Sequence, residues 1–336
     1  MKKITLIDTT LRDGSHALKH NYTLDQVAKI AQGLDQAGVE YIEISHGDGL
    51  GGSTINYGFS TVDEFKLIKT VCDNVKKAKV TVLLLPGIGL IEDIDHAIEM
   101  GVKAIRVATH VTEADISQQH IAYAKEKGLK VFGFLMLAHM ASVDKVIEEA
   151  KKMESYGADA LYLADSSGHM ITSQVNELIT KVVASLNIPV GFHAHNNLGL
   201  AISNSIEALN CGASYIDGTL RGLGAGSGNA QIEVLNCVLR RNDYQTNVNE
   251  YDLMDLAQDV VEPIMLRPQI IDTASLMLGV TGVYSSFLLH VFKASERFNV
   301  EARDILVELG KRKMVGGQED KIIEVAYELS QQKEGV

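Results

Sequence analysis

Short apolar runs recur along the first 240 residues, and longer stretches with helical spacing of apolar positions separate them. The runs are rich in β-branched and aromatic residues, as is typical of strands buried on both faces. Eight such runs are present, within 4–8, 36–45, 79–86, 99–109, 126–136, 155–165, 188–195 and 210–220. The pattern therefore predicts eight strands of a parallel sheet.

Helical segments alternate with these strands, near 23–37, 61–77, 91–100, 113–127, 142–156, 172–185, 198–211 and 229–241. A glycine that suits the left-handed end of a helix precedes five of the strands, at Gly38, Gly101, Gly128, Gly157 and Gly212. Eight alternations predict a (β/α)₈ TIM barrel. The alternative is a doubly wound open sheet, which is disfavoured because the phosphate-binding loop expected after its first strand is missing.

The strand and helix alternation stops after Asn242, and the rest of the chain shows helical periodicity without a good strand. We predict a catalytic barrel over 1–262 and a small helical domain over 263–336. The stretch VYSSFLLHVFKASERF (283–298) has apolar residues at helical spacing. These residues, which are expected to pack this helix against the barrel, are Val283, Phe287, Leu288, Val291 and Phe292.

Composition and charge are those of a soluble cytoplasmic protein. Of the 336 residues 46% are hydrophobic and 22% are charged, and the formal net charge of −12 disfavours binding to nucleic acid or to an anionic membrane. No apolar run approaches the roughly 18 residues of a membrane-spanning helix, and MKKITLIDTT lacks the pattern of a signal peptide. The three cysteines, Cys72, Cys211 and Cys237, lie far apart, as expected in a reducing compartment.

Two histidines at the end of the seventh strand indicate a metal site. Active sites of such barrels lie at the carboxyl ends of the strands, and His193 and His195 point to the same face because side chains alternate along a strand. Neutral imidazole is a common ligand of divalent transition metals, and one carboxylate would complete a facial set. The candidates are Asp8, Asp165 and Asp13, which lies beyond the first strand and precedes a glycine. The alternative is a hydrogen-bonded pair of core histidines.

Arg12 and His16 lie beside Asp13. Taken singly, Arg12 could form a surface salt bridge and Asp13 could cap a helix, but the three residues together indicate a site.

Other polar residues at strand ends have simpler explanations. We interpret His110, His139 and His169 as hydrogen-bonded loop residues. The glycine-rich GLGAGSGN (222–229) follows the last strand rather than the first, so it predicts no nucleotide cofactor. Its bare backbone would let a phosphate, a carboxylate or a helix N-terminus approach closely.

Three stretches, DTTLRDG (8–14), HAHNNLGLA (193–201) and GLGAGSGN, resemble the superfamily of metal-dependent aldolases, lyases and Claisen-type synthases that includes isopropylmalate synthase and hydroxymethylglutaryl-CoA lyase. Within it, HGDGLGGSTINYG (46–58), LMLAHM (135–140) and GVTGVYSSFLLH (279–290) are similar to the 4-hydroxy-2-oxovalerate aldolase family. The resemblance covers nearly the whole chain, including the helical C-terminal part. The combination is specific, although no single stretch is.

The resemblance implies a divalent metal cofactor, with Mn²⁺ expected and Mg²⁺ or Co²⁺ as alternatives. It implies that Asp13, His193 and His195 bind the metal, that Arg12 stabilises the pyruvate enolate and that His16 is the catalytic base. The residues that contact substrate would be Arg12, Asp13, Ser166, His193 and Tyr284.

The activity implied is retro-aldol cleavage of 4-hydroxy-2-oxopentanoate (4-hydroxy-2-oxovalerate) to pyruvate and acetaldehyde. Such aldolases associate with an acylating acetaldehyde dehydrogenase, so a hetero-oligomer formed through the C-terminal domain is expected. A Schiff-base mechanism would need a lysine at a strand end, whereas Lys79, Lys103 and Lys130 lie at strand starts. The alternatives are a Claisen-type acyl-CoA synthase or lyase of the same superfamily and a non-catalytic scaffold subunit.

Overall fold

The computed structural model describes residues 2–334, and eight parallel strands form a closed barrel at its centre. The strands are β1 (Thr5–Leu11), β2 (Tyr41–Ile44), β3 (Lys79–Leu84), β4 (Ala104–His110), β5 (Lys130–Met136), β6 (Ala160–Asp165), β7 (Val190–Ala194) and β8 (Tyr215–Gly218). Each strand pairs with its sequence neighbours, and β8 pairs with β1. The predicted (β/α)₈ barrel is confirmed.

A helix follows each strand. The helices are α1 (Leu24–Ala37), α2 (Glu64–Asn74), α3 (Ile91–Met100), α4 (Gln118–Glu126), α5 (Val143–Ser155), α6 (Thr172–Ser185), α7 (Ala201–Asn210) and α8 (Ile232–Arg241). The five predicted glycines are left-handed, with φ between 82° at Gly128 and 111° at Gly101. The last helix begins three residues later than predicted, because backbone bonds such as Asn229 N to Gly222 O (3.0 Å) hold residues 222–231 as a loop.

The barrel interior is filled from the inward-facing positions of the strands. Tyr41, Phe132 and Tyr162 meet edge to face, with ring centroids 5.5 and 5.8 Å apart, and Phe134 stacks on Tyr162. Aromatic pairs of this kind stabilise a core beyond their buried area. The outward-facing apolar residues of the strands pack against the helices in a second, larger core. The aromatic layer leaves the carboxyl end of the barrel to polar side chains.

The chain beyond the barrel is helical except for a two-residue strand at Tyr244–Gln245, which pairs with Lys2–Lys3. It contains α9 (Glu250–Asp255), a π-helical turn at Leu256–Val261, a 3₁₀ turn at Glu262–Ile264, α10 (Thr273–Thr281), α11 (Leu288–Phe298), α12 (Ala302–Lys311) and α13 (Asp320–Glu334). The last four helices share a core of their own, built on residues such as Leu278, Phe287 and Ile305. The division of the chain after residue 262 stays a prediction. Among residues 2–334, no helix combines the length and apolar character that crossing a bilayer requires.

The apolar residues of the stretch at 283–298 pack in the core that the last four helices share, not against the barrel as predicted, and one of them is exposed. Val283, Phe287, Leu288 and Val291 are buried, but Phe292 is 40% exposed. Phe292 instead borders a cavity that is also lined by His16.

Two histidines of the barrel loops attach the C-terminal helices. His139 Nε2 donates to the carbonyl of Gly282 (3.1 Å), and His169 Nδ1 donates to that of Gly279 (2.6 Å). The hydroxyl of Ser285 donates to the carbonyl of Ser166 (2.7 Å). The C-terminal segment is therefore fixed at the carboxyl end of the barrel, and His139 and His169 are hydrogen-bonded as predicted.

Candidate active site

Asp13, His193 and His195 meet at the carboxyl end of the barrel, where all three are buried. Asp13 Oδ2 lies 3.2 Å from His193 Nε2 and 3.5 Å from His195 Nε2, and the two nitrogens are 3.4 Å apart. A cation about 2.0–2.2 Å from each atom can span a triangle of this size. The donor set of two imidazoles and one carboxylate suits a divalent transition metal.

The other two candidate carboxylates are occupied elsewhere. Asp8 lies within β1 and accepts bonds from Thr10 N (2.9 Å) and Thr10 Oγ1 (2.8 Å). Asp165 accepts the backbone N–H groups of His169 (2.9 Å) and Met170 (3.0 Å). Of the three candidates, only Asp13 joins the two histidines.

A chain of buried charges supports this triangle from within the barrel. His193 Nδ1 donates to Asp217 Oδ2 (2.8 Å), and Asp217 accepts two bonds from Arg106 (2.6 and 2.7 Å). Arg106 Nε lies 3.0 Å from Glu43 Oε2, and the other oxygen of Glu43 pairs with Arg12 Nε. Because the proton that His193 donates is on Nδ1, its Nε2 has a free lone pair with which to bind a cation.

Electrostatics at the triangle favour a cation. Burial alone would raise the pKa of Asp13, but the charge of Arg12 and the two histidines holds it well below its usual range. Burial lowers the pKa of His195 to about 4, so this ring is neutral at physiological pH. Against burial, the bonds of His193 to Asp13 and Asp217 raise the pKa of His193. Asp13 is therefore ionised and His195 neutral, so a divalent ion would have to displace only one proton, that of His193, to bind all three side chains.

Arg12 follows β1 directly and spans from Glu43 to the triangle. Its Nη1 donates to Asp13 Oδ2 (3.0 Å). Its Nη2 donates to no other residue within the described part of the chain, so this nitrogen keeps its hydrogen-bonding capacity for a ligand. Arg12 is buried, and a fixed guanidinium of this kind can hold an anionic oxygen with a defined geometry.

His16 lies at the rim of the same site, on a 3₁₀ turn at Asp13–Leu18. Its imidazole bonds the backbone of Gly47, and burial lowers its pKa from the ordinary 6.5, so it is neutral at pH 7. A Cβ placed on Gly47 would lie 2.5 Å from His16 Nε2, so glycine is needed there. A neutral imidazole on this rim can accept a proton.

Further imidazoles pack behind His16. His20 lies edge-on to it at 5.0 Å between centroids and stacks on His46 at 3.9 Å. His16, His20 and Asp48 form a second group of possible metal ligands. However, His20 Nδ1 already bonds Ser15 Oγ (3.0 Å). These rings fix the position of His16.

Ser166 and Tyr284 complete the site from two other elements. Ser166 Oγ, after β6, accepts the N–H of Leu137 (3.1 Å), which leaves its own proton free to donate. Tyr284 comes from the C-terminal segment, and burial raises the pKa of its phenol. A single small cavity is lined by all seven predicted site residues: Arg12, Asp13, His16, Ser166, His193, His195 and Tyr284. No lysine is among its described lining residues, which disfavours a Schiff base.

Sequence reasoning missed Glu43, Arg106 and Asp217. A signal was available, because each is a charged residue inside a short apolar strand, at an inward-facing position two residues from an aromatic or alanine. Asn197 was missed as well. Its amide donates to Ser167 O (2.8 Å) and Ser285 Oγ (2.9 Å) and accepts from Ser227, so it joins three loops around the site.

The glycine-rich loop at 222–229 lies against the triangle. The N–H of Ala225 points to Asp13 Oδ1 at 3.3 Å, and a Cβ on Gly224 would lie 3.1 Å from the same oxygen. The ligand that this bare backbone approaches is thus a carboxylate of the protein itself, which is one of the expected possibilities.

Comparisons with known proteins identify the family. The HMGL-like family model matches residues 3–260, and that of the DmpG-like communication domain matches residues 269–331. The chain is 56% identical over 334 residues to the 4-hydroxy-2-oxovalerate aldolase of Moorella thermoacetica, which covers 99% of each chain. It is 56% identical over 329 residues to that of Carboxydothermus hydrogenoformans, which covers 98% of each.

A solved structure shares the fold at low identity. The carboxyl transferase domain of Rhizobium etli pyruvate carboxylase with pyruvate has a TM-score of 0.83 at 14% identity, over 99% of this chain and 61% of that one. Fold and site together define a barrel of the HMGL-like class with an appended communication domain. Within that class, the chain belongs to the 4-hydroxy-2-oxovalerate aldolase family. The relatives do not favour a Claisen-type synthase or a scaffold.

Proposed function

We propose that the protein cleaves 4-hydroxy-2-oxopentanoate to pyruvate and acetaldehyde with a divalent cation, Mn²⁺ in the first place, bound by Asp13, His193 and His195. The observation that carries this proposal is the buried triangle of these three side chains, with Arg12 donating to the same carboxylate oxygen. The test is a coupled assay for pyruvate on the metal-stripped protein, with and without added Mn²⁺. Cleavage that is unaffected by stripping and chelator would contradict the metal assignment.

The residues of the site divide the reaction between them. When bound, a divalent ion supplies Lewis-acid stabilisation to the oxygens of a 2-oxo acid. His16 takes the proton of the 4-hydroxyl group as the C3–C4 bond breaks, and acetaldehyde leaves. The electron pair of that bond moves to pyruvate as its enolate, whose oxygen Arg12 holds. C3 then takes up a proton to give pyruvate.

Ser166 and Tyr284 orient the substrate. The Ser166 hydroxyl is free to donate to a carboxylate, and the raised pKa of Tyr284 keeps its phenol protonated as a second donor. Leu83, Phe134 and Met136 form an apolar wall of the same cavity and exclude water from the enolate.

Replacing Arg12 by lysine should separate turnover from binding. The planar guanidinium of Arg12 pairs with Glu43 and Asp13 and at the same time presents Nη2 to the enolate. Lysine keeps the positive charge but cannot make all three contacts. We expect kcat to fall about 100-fold, near the loss seen when one fixed oxyanion donor is removed, with a much smaller rise in KM. Steady-state kinetics of the Mn²⁺-loaded variant measure both. A change confined to KM would mean that Arg12 only binds the substrate.

The pH dependence of kcat/KM should identify His16 as the base. A base acts in its neutral form, so the rate is lost as pH falls through its pKa, and burial places this limb below pH 6.5. His16→Ala should remove that limb and lower kcat by roughly 10²- to 10⁴-fold. His120 on α4, also a partly buried histidine with a lowered pKa, provides the matched control, since His120→Ala should keep the limb. A limb that survives in His16→Ala would exclude this residue as the base.

For the partner, we propose an acylating acetaldehyde dehydrogenase, bound through the C-terminal helical domain over 263–336, in the cytoplasm. The support is the communication-domain match together with exposed apolar side chains on α10 and α13. Val280 and Tyr327 are 56% and 53% exposed there. Tyr284 of the same domain reaches the site, so this domain could line an exit path for the aldehyde.

Co-expression with such a dehydrogenase and size-exclusion chromatography test the complex. Val280→Asp with Tyr327→Asp should dissociate it, because both changes bury a charge in an interface. Ile171→Asp alters an equally exposed apolar residue of the barrel and should leave it intact. Separate elution of the unmodified proteins at micromolar concentration would refute the association.

A further inference from the structure

Two larger cavities adjoin the site, each through different lining residues. One, of about 350 Å³, shares His16 and Ser286 with the cavity around the triangle. The other, of about 260 Å³, shares Met136 and Tyr284 with it. Each therefore adjoins the site through its own pair of residues and offers one route of approach to it.

The two routes carry opposite charge. The described residues that line the first cavity include Lys19 and Arg267 and no carboxylate. Those that line the second include Asp48, Glu113 and Glu319 and neither lysine nor arginine.

The cations of the first cavity are not fully neutralised. Lys19 forms no ion pair with any other residue for which the structure gives a side chain. Arg267 donates to Asp272 (3.0 Å), but its side chain is 49% exposed, and exposed pairs of this kind are weak. The glycine-rich loop also borders this cavity through Gly224 to Gly226, which places backbone rather than bulky side chains at the opening.

This difference matters because the proposed reactants differ in charge. The hydroxy acid and pyruvate are anions, whereas acetaldehyde is neutral. A protein of net charge −12 repels anions at long range, so local cations at an opening would decide where an anion approaches. A neutral aldehyde is indifferent to both sets of charges.

We propose that the first cavity is the entrance for the anionic 2-oxo acids and that Lys19 and Arg267 draw their carboxylate toward His16 and Arg12. The carboxylates of the second cavity repel the same anions and leave that route to the neutral aldehyde. The inference rests on the proposed function. It adds which opening the anionic acid uses and which residues attract the acid to that opening.

The test uses the reverse reaction, in which the Mn²⁺-loaded enzyme joins pyruvate and acetaldehyde, so one assay contains a charged and a neutral reactant. In Lys19→Glu and in Arg267→Glu we expect KM for pyruvate to rise about 5- to 10-fold at low ionic strength, with KM for acetaldehyde unchanged. The rise should shrink in 0.5 M salt, because screening shortens the reach of surface charges. Lys103→Glu is the matched control, since it makes the same change on the opposite end of the barrel and should alter neither constant.

A second measurement separates approach from chemistry. Exchange of the pyruvate methyl protons in deuterated buffer needs pyruvate alone, and its rate at saturation should equal that of the unmodified enzyme in both variants. If a glutamate variant fails to fold, the glutamine variant, which removes one charge instead of reversing it, should show the same effect at smaller size.

The outcomes are distinguishable. If the unmodified enzyme condenses pyruvate with acetaldehyde but the Lys19 and Arg267 variants change KM for pyruvate no more than Lys103→Glu does, the entrance is elsewhere and this inference is wrong. If the unmodified enzyme neither cleaves the hydroxy acid nor exchanges pyruvate protons, the proposed function itself fails, and the inference falls with it.

Discussion

Replacing Asp13 by asparagine is expected to remove nearly all bound cation and nearly all activity while the barrel stays folded. Asp13 Oδ2 faces both His193 Nε2 and His195 Nε2. An asparagine amide is neutral and has one oxygen instead of two, so it is a much weaker ligand for a cation. Loss of a residue that merely supports a ligand weakens metal binding about 10- to 100-fold, so loss of the ligand itself should exceed about 100-fold.

Metal content after desalting, measured by mass spectrometry, tests this directly. A thermal melt with and without Mn²⁺ gives an independent measure, because a ligand that binds only the folded state raises its stability. The melting temperature of Asp13→Asn should not respond to Mn²⁺, and that of the unmodified protein should.

Asp8→Asn is the matched control. Asp8 is buried on β1, five residues before Asp13, and burial raises its pKa to about 7, so near neutral pH much of it is already protonated and resembles an amide. This variant should keep its metal and its Mn²⁺ response. Equal metal content in the Asp13 variant and the unmodified protein would mean that the cation lies elsewhere.

The barrel itself was predictable from local patterns. Eight short apolar runs, each followed by a helical segment, are enough to predict the alternation. Glycines such as Gly38 and Gly101 mark the helix ends because few other residues adopt a left-handed conformation. That His193 and His195 face the same way followed from the alternation of side chains, although β7 itself ends at Ala194. Periodicity is a property of neighbouring residues, so it can be derived without knowing the fold.

The charged support of the site was not predicted, because it depends on contacts between distant strands. Glu43, Arg106 and Asp217 lie on β2, β4 and β8 and become neighbours only when the barrel closes and all three point inward. Asn197 likewise acquires its role from loops that converge on it. Phe292 is exposed beside a cavity that His16, from a distant part of the chain, also lines, and apolar spacing along one helix does not reveal such a cavity.

Replacing Arg106 by methionine is expected to destabilise the barrel by about 3–5 kcal/mol, because it breaks a buried ion pair by removing one partner. Arg106 is fully buried, donates two bonds to Asp217 and lies 4.2 Å from the centroid of the Tyr162 ring. Methionine fills similar space, but Asp217 would lose the cation that pairs with it and keep His193, and Glu43 would keep Arg12. Urea denaturation of the metal-free proteins measures the change in the free energy of unfolding.

Two further variants show whether the loss comes from unpaired charge. Arg303→Met removes an arginine whose side chain is 61% exposed and pairs loosely with Asp304 (3.8 Å), so it should cost less than about 0.5 kcal/mol. Adding Asp217→Asn to Arg106→Met should cost clearly less than the sum of the two single changes, since the double variant no longer buries the unpaired carboxylate. Additive losses would instead mean that Arg106 acts through packing on Tyr162. Asp217 also accepts the Nδ1 proton of His193. Both Asp217→Asn and Arg106→Met should therefore weaken Mn²⁺ binding as well as folding. The stability of the barrel and the affinity of the cation site thus depend on the same residues.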